Sequence, residues 1–514
     1  MKQICKGISA ALICGALVVG CLVDAHTTTR VAVSSVSINE GDAALFENEE
    51  QRFTVSVEPT NAANKAVRWS SSREETATVD EDGLVKALAV GIAKITATAV
   101  DGSDKSGAVT VTVNATVTPP IDEDAELSPA DIFALLKGQK AVTNGWADMY
   151  NDGAGMFYTN PATLALIDDA TYPNPLDKRK AFTDAINGKA PAFIIVSGDV
   201  DLSDGKVSDT DHSYFDEFNA TEPFARKHSD ITFKIENDKT IIGVDNARVK
   251  FGGLRINGRT NVIIRNLTFW DAHGSTERDT SKSGNESSKA SIDALVVEEG
   301  ADIIPSGVWI DHCTFTDGTC NDMIRNYNHD GSFDIKHGRD ITVSWCEFTN
   351  HDKVMLVGSD ETKYLNADER RITLHHNYFH QTTQRTPRTR GTLMHIYNNY
   401  WKDVGVDGNN GYCLGPGRNA EFIVESNFFA VETFKSSTKI VDYYDASAYP
   451  AKVFAADNNV PVAPSAHFAA TAKPWTPAYA YDLGAVSGLP TAVPADAGAD
   501  KSVTAKWLQA QPVL

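Results

Sequence analysis

From Ala192 onward, short apolar runs rich in β-branched residues recur along the chain: AFIIVSG, ITFKI, KTIIGV, NVIIRNLTF, GVWIDHCTF, DITVSWCEF, RITLHHNYF, LMHIYNNYW and EFIVESNFF. The last six end in an aromatic residue: Phe269, Phe315, Phe348, Phe379, Trp401 and Phe429. The steps between them are 46, 33, 31, 22 and 28 residues. A 22-residue minimum with a variable excess is the signature of a repeating coil with loops inserted into it. One such unit cannot bury its apolar face alone, whereas stacking each unit on the next creates a continuous core. The pattern therefore predicts a parallel β-helix, with strands about 4.8 Å apart between coils. Asn266, Asn377, Asn399 and Asn427 recur near one place in the unit, which predicts a structural asparagine ladder.

The pattern differs elsewhere. Residues 31–114 read as short strands alternating apolar and polar positions, as in Phe53-Thr-Val-Ser-Val57 and Ala108-Val-Thr-Val-Thr-Val113, with turn signals between them. This is the texture of a small β-sandwich. Trp69 is expected in its core, and Asp82-Gly83 at a hairpin turn that needs positive φ. Residues 115–130 are Pro-rich and acidic and read as a linker. Residues 131–514 form the large domain. It opens with a helix near Ser128–Lys137, and a second helix runs from about Asp177 to Asn187, with Phe182, Ala185 and Ile186 on one face and Gly188 as its C-cap. The polar stretch 273–290 is expected to be a long loop between coils. The last 65 or so residues are Ala/Pro-rich and should wrap the outside of the helix.

At the start of the chain, Lys2 and Lys6 precede an apolar run from Ile8 to Val19, too short to span a bilayer. Residues 1–20 read as a signal peptide. Val18-Val19-Gly20-Cys21 resembles a bacterial lipobox, which implies cleavage before Cys21 and lipidation of its thiol. The expected location is the bacterial outer membrane or cell surface, with secreted or periplasmic placement as the alternative, and with membrane contact only through the anchor. Of seven cysteines, Cys313, Cys320, Cys346 and Cys413 remain in the mature chain besides Cys21. They are expected as free buried thiols, without a zinc-like spacing. The net charge of −21 argues against nucleic acid as a partner. It does not exclude a polyanionic substrate, because a local cationic cleft or a bound cation overrides a surface average. A monomer is expected.

Two sets of residues could carry chemistry. Asp330 and Asp334 lie four apart in HDGSFDIK, a spacing that puts them on one face of a strand and equally on one face of a helix. Asp293 lies one coil earlier, so stacking brings the three carboxylates together. Such a group repels itself unless a cation sits within it, and hard oxygen ligands suit Ca²⁺. Scattered aspartates also fit plain solvated surface charge. The second set is basic: Lys353 in NHDKVMLVG, with Arg385, Arg388 and Arg390 in QRTPRTRGTLMH. Arg385 and Arg390 are an odd number apart, and Pro387 permits a bend between them. This set fits either a polyanion-binding cleft or a surface ion-pair network.

VRWSSSREETATVDEDGLVKALAVGIAKITATAVDG closely resembles the bacterial Ig-like domain of group 2. GVWIDHCTF, DGSFDIKHGRDITVSW, NHDKVMLVGSD and RTPRTRGTLMHIYNNYW resemble, in order, the signature blocks of family 1 polysaccharide lyases, the extracellular pectate lyases. PAYAYDLGAVSGLPTAVPADAGA also matches, and the similarity spans about residues 145–500. It implies an all-β architecture: a right-handed parallel β-helix preceded by the Ig-like sandwich. It further implies calcium-dependent β-elimination of polygalacturonate to 4,5-unsaturated products. By position, Asp293, Asp330 and Asp334 fall on calcium ligands, Arg385 on the proposed catalytic base, and Lys353 and Arg390 on substrate-binding positions. Some members carry another aspartate where this chain has Ser291. Arg388 is an additional cation, and His312 of the WIDH block is expected to be structural. The competing readings are a pectin lyase acting on methyl-esterified chains, a polygalacturonase, and a non-catalytic β-helix adhesin.

Overall fold

The computed structural model describes residues 30–46, 49–114, 124–210, 231–273, 292–301, 303–319, 329–359, 366, 369–406, 411–444, 449–460 and 470–509. The expectations for the signal segment, Cys21, Ser291, Cys320 and the 274–290 loop lie outside them. The chain forms two compact units, one on each side of residues 121–122.

In the first unit, strand Ser106–Asn114 pairs antiparallel with Gly91–Ala99 and parallel with Ala43–Phe46. Alternation along Ser106–Asn114 sends Val109, Val111 and Val113 inward, where they meet Phe53, Val85 and Ile95. Trp69 is half-buried rather than central and packs against the edges of two apolar clusters. Gly83 has φ +78°, and a Cβ there would lie 2.5 Å from the Phe53 carbonyl oxygen. Glycine is therefore required at this turn both by conformation and by space.

The second unit is a stack of parallel strands on three faces. One face runs Thr232–Lys234, Gly253–Asn257, Leu295–Glu298, Phe333–Ile335, Leu356–Val357, Arg388–Thr389, Tyr412–Pro416 and Lys439–Val441. A second includes Thr260–Arg265, Ser306–Asp311, Arg339–Ser344, Arg371–His375, Thr392–Tyr397 and Ala420–Glu425. The third includes Thr268–Trp270, Thr314–Thr316, Glu347–Lys353, Tyr378–Gln384, Tyr400–Val404 and Phe428–Phe429. The six aligned aromatics are direct register partners on this third face. Their rings form one continuous stack, at 4.6 Å for Phe269–Phe315 and Trp401–Phe429 and 5.0 Å for the three steps between. The parallel β-helix read from the sequence is thus borne out.

The asparagine ladder is present with one change of membership. Asn377, Asn399 and Asn427 each accept or donate to the next coil, and Asn458 extends the row. Asn266 is not a rung. It has φ +55° and bonds to the Gly243 and Lys501 carbonyls. It occupies the left-handed corner one residue before the ladder position, a conformation asparagine tolerates better than most residues.

Helix Pro129–Leu136 starts at Ser128, whose hydroxyl caps Asp131 N–H, and ends at Lys137. Helix Pro175–Asn187 begins two residues earlier than expected, capped by Asn174. Its Phe182 and Ile186 join the core of the first coils and close that end of the stack. Gly188 does end this helix, but with φ −60° rather than in the left-handed cap geometry. The C-terminal tail runs back along the outside: Trp475 and Tyr479 pack on Trp146 and Leu393, Leu489 and Val493 on Tyr400, and Lys501 bonds Asn266. Cys313, Cys346 and Cys413 are free and buried.

Candidate active site

Consecutive coils place the expected residues in sequence along the face that contains Phe333–Ile335. Asp334 lies on that strand, between Val296 of the preceding coil and Leu356 of the next. Asp293 precedes strand Leu295–Glu298, and the Ala294 N–H donates to the Gly331 carbonyl. A Cβ on Gly331 would lie 2.4 Å from Asp334 Oδ1 and 2.9 Å from Asp293 Oδ1. Both carboxylates therefore face one point above the Gly331 backbone, and the glycine is what leaves them room. Each is pinned: Gly331 N–H donates to Asp293 Oδ1 at 3.0 Å, and Leu356 N–H to Asp334 Oδ1 at 2.8 Å. Asp330 is the solvent-facing member, with its side chain 36% exposed.

Burial is the largest influence on both inner acids. It raises Asp293, with the Asp330 charge adding and Lys336 opposing. It also raises Asp334 well above the ordinary carboxylate range, with the Asp293 charge next. The two buried carboxylates, Asp293 and Asp334, resist ionising together unless a cation joins them.

Lys336 supplies one positive charge. Its ammonium lies 3.0 Å from Asp293 Oδ2, and although burial opposes its charge, Asp293 and Asp334 hold its pKa above the usual lysine value. The sequence reading missed Lys336. The signal was there, because it lies two residues after Asp334, one past the end of strand Phe333–Ile335, where strand alternation carried on would put it on the same face. His351 was missed as well: its Nε2 lies 2.9 Å from the Asp330 carbonyl and 3.2 Å from that of Lys353.

Lys353 joins the acidic and basic groups. Its ammonium is 3.4 Å from Asp330 Oδ1, and its backbone pairs with Gly331 on one side and Gln384 on the other. Arg385 follows Gln384 at φ +58°, and its carbonyl accepts from Met355 N–H at 2.7 Å. The strand is thus broken between Gln384 and Arg388, and the odd separation of Arg385 and Arg390 does not send them to opposite faces of one strand. Two coil steps, about 10 Å, separate the Asp330 backbone from that of Arg385. The guanidiniums of Arg385 and Arg388 both act on the Tyr412 hydroxyl: burial raises its pKa and the two cations oppose. Arg388 stacks over Tyr444 at 4.0 Å. Arg390 is mostly buried, and its Nη1 donates to the Gly358 carbonyl at 3.2 Å.

His312 lies away from this face. It sits at the corner between the other two, stacked on Trp345 and 2.7 Å from Asp311. Against the cost of burial, His312 and Arg265 hold Asp311 well below the usual carboxylate range. This WIDH block is a buried charge network that ties the corner together.

The family model described as pectate lyase matches residues 135–502, and the bacterial Ig-like domain (group 2) model matches residues 32–117. The chain belongs to the pectate lyase family. It is a polysaccharide lyase with an Ig-like domain ahead of its β-helix. Pectate lyase E of Dickeya dadantii is 31% identical over 326 residues, covering 60% of this chain and 72% of that protein. A pectate trisaccharide-lyase of Thermotoga maritima is 40% identical over 182 residues, covering 34% of this chain and 44% of its own length. A thermostable pectate lyase structure superposes with TM-score 0.54 at 26% identity, covering 70% of this chain and 97% of that one. A Bacillus subtilis pectate lyase structure, at TM-score 0.55 and 22% identity, shares the fold.

Proposed function

We propose that this pectate lyase is calcium-dependent and cleaves α-1,4-linked polygalacturonate by β-elimination. The observation that carries the reading is the convergence of Asp293 and Asp334 over Gly331, with Asp330 beside them and Lys353 leading to the arginine coil. The donor set fits calcium: hard carboxylate oxygens, mutually repelling, with one member open to solvent and a substrate carboxylate available to complete the shell. Asp293, Asp330 and Asp334 would hold the ion, which when bound neutralises the uronate carboxylate next to the reacting carbon.

The chain's own residues supply the rest. Lys353, with its ammonium beside Asp330, pairs with a substrate carboxylate and stabilises the charge that grows there as C5–H breaks. Arg385, reacting as the neutral guanidine, takes the C5 proton and becomes guanidinium. The C5–H electron pair becomes the C4–C5 double bond, and the C4–O bond breaks with its pair leaving on the glycosidic oxygen, which takes a proton from water. This gives a 4,5-unsaturated end and a new reducing end. Arg390, fixed through Gly358, orients the chain. Arg388, stacked over Tyr444 at 4.0 Å, adds a cation between Arg385 and Arg390. Retention of three carboxylates favours pectate over methyl-esterified pectin, whose neutral ester has no use for them. We further propose export with lipidation of Cys21.

Ultraviolet absorbance of the unsaturated product, measured on polygalacturonate with and without chelator, tests the reading. Calcium-dependent absorbance supports it. Calcium-independent absorbance on esterified pectin alone, or binding without absorbance, overturns it in favour of a pectin lyase or an adhesin.

A further inference from the structure

Next to the coil segment that carries Asp330 lies a second polar group that the elimination chemistry does not use. Asp271 and His273 follow strand Thr268–Trp270, and His329 comes from the coil that carries Asp330. All three are buried, at 1%, 0% and 2% exposure. One ligand atom from each lies within 4.8 Å of the other two. Asp271 Oδ1 is 2.7 Å from His329 Nε2 and 3.6 Å from His273 Nδ1. The two imidazoles meet edge to face, with centroids 5.2 Å apart.

We propose that Asp271, His273 and His329 form a buried binding site for a divalent transition metal of the zinc type. Two imidazole nitrogens and one carboxylate oxygen are a borderline-soft donor set, unlike the all-oxygen set of Asp293, Asp330 and Asp334. A tetrahedral ion with bonds of about 2.0–2.2 Å spaces its ligand atoms roughly 3.3 Å apart, and the two distances to Asp271 Oδ1 bracket that value.

The surroundings give an independent indication. Metal-bound histidines characteristically donate their other ring nitrogen to a carboxylate. His329 Nδ1 is buried without a hydrogen-bond partner and lies 3.8 Å from Asp317 Oδ2, which also lacks one. A small cavity bordered by Asp317, His329, Ser332 and His351 adjoins them. A shift of under one ångström on ligation would let His329 Nδ1–H donate to Asp317. The other oxygen of Asp317 already meets His351 Nδ1 at 2.5 Å, and His351 Nε2 meets the Asp330 and Lys353 carbonyls. The ion would therefore anchor, through His329, Asp317 and His351, the backbone that presents Asp330 and Lys353. These three are positioning residues and touch no substrate.

The test uses the full untagged chain, stripped with chelator and then titrated with Co²⁺ or Zn²⁺ in excess Ca²⁺. The expected result is one equivalent of Zn²⁺ retained through gel filtration, and Co²⁺ ligand-field bands that saturate at one equivalent. In His273→Ala and His329→Ala, checked for native circular dichroism, affinity should fall at least tenfold. Binding equal to wild type in the folded double variant overturns the proposal. If the variants do not fold, the wild-type Co²⁺ titration decides it: bands saturating at one equivalent sustain the site, and no bands overturn it. None of these readouts depends on lyase activity, so this site and the calcium reading fail separately.

Discussion

Replacing Asp334 with asparagine should change stability in opposite directions with and without calcium. Asparagine keeps an Oδ1 to accept from Leu356 N–H while removing one of the charges that meet over Gly331. Two unit charges about 5 Å apart interact by roughly 3 kcal/mol at an effective dielectric of about 20. Lys336, 3.0 Å from Asp293, offsets part of this, leaving a net repulsion of about 1–2 kcal/mol in the calcium-free protein. Both inner acids have folded pKa values above their ordinary 3.8. Their contribution to stability is therefore complete below that pH and is lost as pH rises through the raised values. In chelator near neutral pH, Asp334→Asn should be the more stable protein by about 1–2 kcal/mol, and this advantage should vanish below the unfolded value. Calcium at about 100 times its dissociation constant stabilises a binding-competent fold by about 2.7 kcal/mol. The wild type should gain that and the variant little, so the order of stability reverses. Calorimetric unfolding of both proteins, with and without calcium across pH, reads this directly. A variant less stable than wild type in chelator, or one with an equal gain from calcium, would refute the reasoning.

Other consequences are more local. Arg385→Lys should abolish turnover on polygalacturonate with the circular dichroism spectrum unchanged; near-normal rates would remove Arg385 from its role. Gly331→Ala places a methyl where Asp293 Oδ1 and Asp334 Oδ1 now face each other, so calcium affinity by isothermal titration should fall at least tenfold. Trp401 is fully buried between Phe379 and Phe429 and donates to Thr386 Oγ1 at 3.1 Å. Trp401→Ala should cost about 3–5 kcal/mol in denaturant unfolding, and because Thr386 follows Arg385 it should lower kcat as well.

The aromatic run-ends were legible because each coil must place a large ring at the same depth to fill the interior, and this marks register whatever the loop length. Asn266 shows how the same signal goes astray. It lies three residues before Phe269, whereas Asn377, Asn399 and Asn427 lie two before their aromatics. The ladder position in the early coils is Leu267, Cys313 and Cys346, and Cys346 N–H still donates to Asn377. Two adjacent positions, a left-handed corner and a ladder rung, favour the same residue for different physical reasons, and only the offset from the aromatic separates them. Trp69 was misplaced for another reason: in a sandwich this small, a ring that size is shared between two clusters at their edge.

The candidate site divides along the same line. Within a strand, spacing is fixed by the backbone, so Asp334 and Lys336 can be assigned to one face from sequence alone. Between coils it is set by loops of arbitrary length, so joining Asp293 to Asp330 from sequence depended on placing Asp293 one coil earlier in the stack. The cluster of Asp271, His273 and His329, with Asp317 and His351 behind it, draws on several coils at positions with no common spacing, and nothing in the chain marks it before folding. Stacking also resolves the apparent conflict between a net charge of −21 and a polyanionic substrate. Screening confines each surface charge to about 8–10 Å. Lys353 lies 3.4 Å from Asp330, and the arginine coil lies two coil steps, about 10 Å, away. Under the proposed function, what a uronate chain would meet is the local order of acids, lysine and arginines along successive coils, and that order is a property of register rather than of composition.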